Sequence, residues 1–150
     1  MADYKEKFQC LNGDYKLSEK QDMLFAFGST QIEENIDCLF NSINSVEPQD
    51  TIYLFASLGS NLRFRNKIAS LYISNFEAIK KHINNAKLLR YSLSYVLSDV
   101  TDEDAMKLVL SFLITLENDA EMKSVVEKCR DSMHIASEFK NKYKHVELNK

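Results

Sequence analysis

Apolar residues return along this chain with the rhythm of an amphipathic helix from Met23 to Ala136. Ser18 and Gln21 stand at capping-box spacing, so a short helix is expected to carry Met23, Leu24 and Phe27 on one face. Gly28 then suits a left-handed cap at its end. Ile32, Ile36, Leu39, Phe40 and Ile43 follow the i, i+4, i+7, i+8 pattern and predict a second helix that closes near Asn44-Ser45. Pro48 is placed just inside a third helix, which buries Ile52, Phe55 and Leu58 and stops at Gly59-Ser60-Asn61. Ile68, Leu71 and Tyr72 mark a fourth element, and Phe76, Ile79 and Ile83 a fifth. Asn84-Asn85 interrupts the pattern, and Leu89, Leu93, Val96 and Leu97 restart it. Thr101 and Asp104 repeat the capping spacing before Met106, Val109, Leu110 and Leu113. Met122, Val125, Val126, Cys129, Met133 and Ala136 then share one face of the longest helix.

Seven or eight helices of about 8 to 18 residues emerge, joined by loops of roughly two to five residues, which force successive helices into antiparallel hairpins. Residues 1–17 form a polar lead-in, 18–139 the helical domain, and 140–150 a charged tail expected to fray. The class is all-α. Periodicity alone leaves both a closed bundle and an open stack of hairpins standing, because no crisp repeat is visible.

Composition sharpens this. With 45% hydrophobic residues in 150, the chain has ample material for one core. Three Gly and one Pro are too few for the many turns of an all-β architecture. A net charge of −3 argues against a nucleic-acid partner, which would need Lys and Arg to neutralise phosphates. No apolar run approaches the ~20 residues of a membrane span, and the N-terminus has no secretory pattern. The three cysteines, Cys10, Cys38 and Cys129, form no CxxC, and with no glycosylation sequon a reduced, cytoplasmic protein is expected.

Candidate chemistry is sparse. His82, His134 and His145 lack the i, i+4 pairing of a helical zinc site. His134 and Glu138 lie one turn apart and suit an ordinary surface pair, while His82 is expected on a solvated face. Cys129 falls in the apolar stripe of the last helix and Cys38 abuts Leu39, so both read as small hydrophobes rather than nucleophiles. Asp102-Glu103-Asp104 after Thr101 fits favourable charge at a helix start. There is no glycine-rich phosphate loop, and Lys140, Lys142 and Lys144 make no single basic stripe. Catalytic apparatus is missing from the pattern.

Several short motifs carry further information. Glu19-Lys20 leading into Leu24-Phe25-Ala26-Phe27-Gly28, then Val46-Glu47-Pro48-Gln49-Asp50-Thr51-Ile52, then Gly59-Ser60-Asn61 with Arg63 and Arg65, and then Asn75-Phe76-Glu77-Ala78-Ile79 stand in one order. Together with Thr101-Asp102-Glu103 before Val109-Leu110-Ser111-Phe112-Leu113 and the long last helix, they resemble the C-terminal helical domain of zinc aminopeptidases of the aminopeptidase N, puromycin-sensitive and endoplasmic-reticulum type. The resemblance spans most of residues 18–139. Phe76 replaces the usual Trp, and Phe64 stands where Gly usually precedes Arg65.

The resemblance implies antiparallel hairpins stacked in a HEAT- or armadillo-like α-α superhelix, here part of such a domain. It implies a non-catalytic fragment or split subunit that encloses the active-site cavity and positions peptide. Its partners would be peptides and the catalytic aminopeptidase domain, in cis or as a separate chain. The family's zinc sits on an HExxH helix and its GxMxN loop lies nearby, and this sequence contains neither. No cofactor is therefore expected on this chain, and no activity of the chain alone. Asn61, Arg63 and Arg65 are the candidate residues facing substrate or partner, since loops between hairpins share one rim. Gly28, Gln49, Asp50, Gly59, Asn75 and Phe76 are the motif residues with structural roles. The competing reading is a free-standing HEAT-like module that binds a protein or peptide.

Overall fold

The computed structural model describes residues 17–143. Eight α-helices follow one another without a β-strand among the described residues. They are α1 (Leu17–Gly28), α2 (Glu33–Asn41), α3 (Thr51–Gly59), α4 (Arg65–Ser74), α5 (Phe76–Ile83), α6 (Ala86–Leu97), α7 (Glu103–Thr115) and α8 (Lys123–Tyr143). One 3-10 turn, Ile43–Ser45, follows α2. The all-α expectation holds, and so does the number of helices.

Their ends show which local signals operate. α1 begins at Leu17, one residue ahead of the expected cap at Ser18. Pro48 lies in the turn before α3 rather than inside the helix, and the Thr51 hydroxyl donates to its carbonyl at 2.6 Å. Asn84 takes the left-handed conformation, φ 42°, that lets the chain leave α5, and Asn85 caps α6 by accepting from Leu88 N–H at 3.1 Å. Asp102, not Thr101, caps α7, accepting from the N–H groups of Asp104 and Ala105 at 3.1 Å each. α8 runs through Lys140 to Tyr143, so the helix outlasts the expected fraying point.

Packing follows two rows. α1 lies on α3, α3 on α6 and α6 on α8, while α2 lies on α4 and α4 on α7. The helices of the first row start at residues 17, 51, 86 and 123, a spacing that returns each to the same side. Between the rows runs an aromatic spine. Phe55 meets Tyr72 edge-on at 5.2 Å, Phe76 meets Phe112 edge-on at 4.9 Å, and Phe40 and the Tyr72–Phe76 pair complete the column. Leu24, Ile36, Leu39, Leu54, Leu58, Ile68, Ile79, Leu93 and Leu97 fill the space around it, each almost fully buried. Each such side chain is worth roughly 1.5–3 kcal/mol of transfer free energy, which makes this continuous core the main support of the fold.

Glycine sets how closely the first row packs. Gly28 does not use a left-handed conformation, contrary to the cap expected from sequence. A Cβ there would come within 2.6 Å of Ser57 Cβ and 2.9 Å of Leu58 N on α3. A Cβ on Gly59 would collide with the carbonyl of Tyr95 on α6. Both glycines thus mark points where helix backbones touch. Within the second row, Lys67 of α4 holds α2 at the surface, its ammonium reaching Asp37 at 2.6 Å and Glu33 at 3.1 Å. Its hydrogen bond to Asp37 raises its pKa, although exposed pairs of this kind contribute little to stability.

Candidate functional site

The residues singled out from sequence separate into two kinds of position. Asn61 is 6% exposed and faces inward. Its amide donates to the carbonyls of Gly28 at 3.0 Å and Thr30 at 2.9 Å, and its oxygen accepts from Phe64 N–H at 3.3 Å. The side chain therefore clamps the end of α1 to the α3–α4 turn, and all of this polar capacity is spent within the fold. Arg63 is exposed and lies over the Phe64 ring at 5.4 Å. Arg65 donates from Nη1 to the Asp99 carbonyl at 2.8 Å, while its Nε is buried without a hydrogen-bond partner.

The motif residues are mostly structural in their contacts. Gly28 and Gly59 are the close approaches described above. Phe76 is buried in the aromatic spine, and the Asn75 amide donates to the Leu71 carbonyl at 2.8 Å. Asp50 is buried at the start of α3, and Gln49 is exposed beside it.

Arg65 also lines a concavity of the surface. A cleft of about 510 Å³ crosses the first row at α3, α6 and α8, with Gly59, Arg65, Tyr95, Asp99, Lys128 and Ser132 on its walls. Ala56, Ser60, Ser94 and Ser98 keep its floor low. A second cleft of about 880 Å³ runs on along α8, lined by Thr101, Ile135, Ala136, Phe139, Lys140 and Tyr143. Asp99 and Ser132 border both, so the two form one trough. Its first half is mixed in polarity and carries two cations, Arg65 and Lys128, against the single carboxylate of Asp99. Its second half is mainly apolar, for Ile135 and Phe139 are each 65% exposed and the Tyr143 ring lies tilted against Phe139 with centroids 4.5 Å apart.

The nucleophile and acid–base inventory near this trough is small. Cys129 lies beneath it, fully buried, with Sγ 3.4 Å from Ser98 Oγ. Burial pushes the thiol's pKa up, opposite to what an attacking thiolate needs. Tyr72 is buried next to Ser92, with its oxygen 2.7 Å from Ser92 Oγ. Ser92 itself donates to the Leu89 carbonyl, so Tyr72 is the donor of that pair. Desolvation raises the Tyr72 pKa far above its usual value.

Metal binding has little to build on. Among the described residues no three His, Cys, Asp or Glu side chains gather as a cation site. His134 pairs with Glu138 at 3.3 Å on the surface, as its spacing suggested. His82 is not simply solvated. Its Nε2 lies 2.9 Å from the Val46 carbonyl, which requires the proton on that nitrogen. Cys10 and His145 lie outside the described residues.

Lys128, Ser132, Ile135, Phe139 and Tyr143 were missed by reading the sequence for sites. Ile135, Phe139 and Tyr143 recur at i, i+4 and i+8, a signal masked by the stronger stripe from Met122 to Ala136 on the same helix. No helix among the described residues is long and apolar enough to cross a membrane. Set against protein-family models, curated proteins and solved structures, the chain matches none.

Proposed function

We propose that this chain is a HEAT-like stack of helical hairpins that works by binding rather than by bond chemistry. In this reading it is a wall of the substrate cavity of a zinc aminopeptidase, in cis or as a separate chain, and helps to position peptide. The observation that carries the reading is the two-row packing, in which helices starting at residues 17, 51, 86 and 123 stack on one another. The motif residues support it further: Gly28, Gly59 and Asn61 all act where one hairpin meets the next. Its contribution to catalysis would be exclusion of water and folded proteins and orientation of substrate, effects that need shape and no reactive group. The unbridged thiols of Cys38 and Cys129 suit a reducing, cytoplasmic setting.

A native pull-down of the full chain with zinc analysis tests this. The expected result is a co-purifying zinc protein with aminopeptidase activity, while the chain alone neither binds stoichiometric zinc nor hydrolyses aminoacyl substrates. Turnover by the isolated chain that is lost on chelation would contradict it.

The second reading, a free-standing module with its own protein or peptide partner, draws on the N-terminal end of the stack. Leu24 and Phe27 are buried there against the chain itself, although Phe25 stays 44% exposed. A stable monomer that recruits a zinc-free partner would favour it.

A further inference from the structure

We propose that the trough along α8 receives an amphipathic helix of a partner protein, with its acidic end at Arg65 and Lys128 and its apolar stripe on Ile135, Phe139 and Tyr143. This rests on the binding role proposed above and names the surface and the chemistry of its occupant. Charge complementarity carries the first half. The Arg65 guanidinium gives one N–H to the Asp99 carbonyl and lines the cleft together with Lys128, a second cation on the same wall. A carboxylate of the occupant pairs with these two cations, which the single carboxylate of Asp99 does not balance. The second half offers three large apolar side chains on one helix face, exposed to water at the open flank of the row.

Length and backbone chemistry select the form of the occupant. From Lys128 to Tyr143 the helix rises about 22 Å, which is about four turns of a partner helix lying alongside. The described surface presents no strand edge to pair with an extended peptide, whereas a helix satisfies its own backbone. Ala56, Ser60, Ser94 and Ser132 are small side chains on the cleft and leave room for its close approach. The partial negative charge of a helix C-terminus favours the cationic half, so the occupant runs antiparallel to α8.

The test is fluorescence anisotropy with the full chain and a labelled helical peptide of about four turns. The peptide carries Leu at i, i+4, i+7 and i+11 and two Glu at its amidated C-terminal end. Saturable binding is expected, weakened at least ~10-fold by Lys128→Glu and by Phe139→Ser, both exposed positions. A peptide with Lys in place of the two Glu should regain affinity for the Lys128→Glu chain, which a merely unfolded variant would not allow. Binding that ignores both substitutions, or no saturable binding at all, would overturn the proposal. So would self-association of the chain abolished by Phe139→Ser, since the occupant would then be a second copy. Success of the zinc pull-down with failure here would remove this surface and leave the broader role standing.

Discussion

α3 and the C-terminal third of α8 are helices in the same row, yet their apolar residues meet opposite fates. Around α3, every large side chain of the inward face is buried, two glycines bring neighbouring backbones into contact, and Asn61 spends its amide on carbonyls of the α1 end. Along α8 beyond Met133, Ile135, Phe139 and Tyr143 stand on one face and stay 65%, 65% and 45% exposed. The first region converts its apolar surface into stability. The second leaves comparable surface available, and exposed apolar clusters of this kind mark interaction sites.

The largest expected effect sharpens the first half of that comparison. Gly59→Val places a branched side chain against the Tyr95 carbonyl, a backbone group that cannot swing aside. It should cost about 3 kcal/mol in urea unfolding. A change below ~1 kcal/mol would show that α3 and α6 are free to separate and that the glycine does not set their distance.

This position also shows what a single sequence conveys. Helix existence and much of the inward faces were legible, because Ile36, Leu39, Phe40, Phe55, Leu58, Tyr72, Ile79 and Leu93 follow helical spacing and are buried, whereas Ile32 and Leu110 share that spacing and stay exposed and Ile52 is only half-buried. Reasons that lie in another element were not. Gly28 looked like a left-handed cap, while its need for a bare α-carbon comes from Ser57, far along the chain. Asn61 reads in the sequence as a partner-facing loop residue; it does line a cleft of about 320 Å³ with Arg63, but its hydrogen bonds to Gly28 and Thr30 are not legible there. The trough was illegible for the same reason, since its walls come from α3, α6 and α8 and meet only through packing.

Asn61→Ala comes next in size. It leaves the Gly28 and Thr30 carbonyls without their donor in a largely dry setting, and about 2 kcal/mol should be lost. Asn61→Asp should cost at least as much, because a carboxylate cannot donate to either carbonyl. Equal stability of the Ala variant and wild type would mean that water replaces the amide and that this junction is wetter than its burial indicates.

Smaller again is Tyr72→Phe. It removes the hydrogen bond to Ser92 but keeps the ring in the aromatic spine, for about 1 kcal/mol. The same variant tests a pH effect. Burial raises the pKa of both Cys129 and Tyr72, so the folded chain holds these protons more tightly than the unfolded chain. Their stabilising contribution is complete below about pH 8.5 and declines as pH rises, first for the thiol and above about pH 10 for the phenol. The raised pKa of Lys67 acts in the same direction at alkaline pH. Tyr72→Phe should flatten the decline above about pH 10 and leave the earlier part in place. An unchanged alkaline limb would show that the phenol ionises as readily in the folded chain as in the unfolded one.

The measurement that bears most directly on the contrast between the two regions is the unfolding free energy of the Ile135→Ser, Phe139→Ser double variant, taken in urea beside wild type. If the α8 face is held in reserve for a partner, its loss leaves the isolated chain within about 0.5 kcal/mol of wild type, as for substitutions away from the core. A loss of about 2 kcal/mol or more would place these side chains among the groups that hold the fold together and would contradict the account.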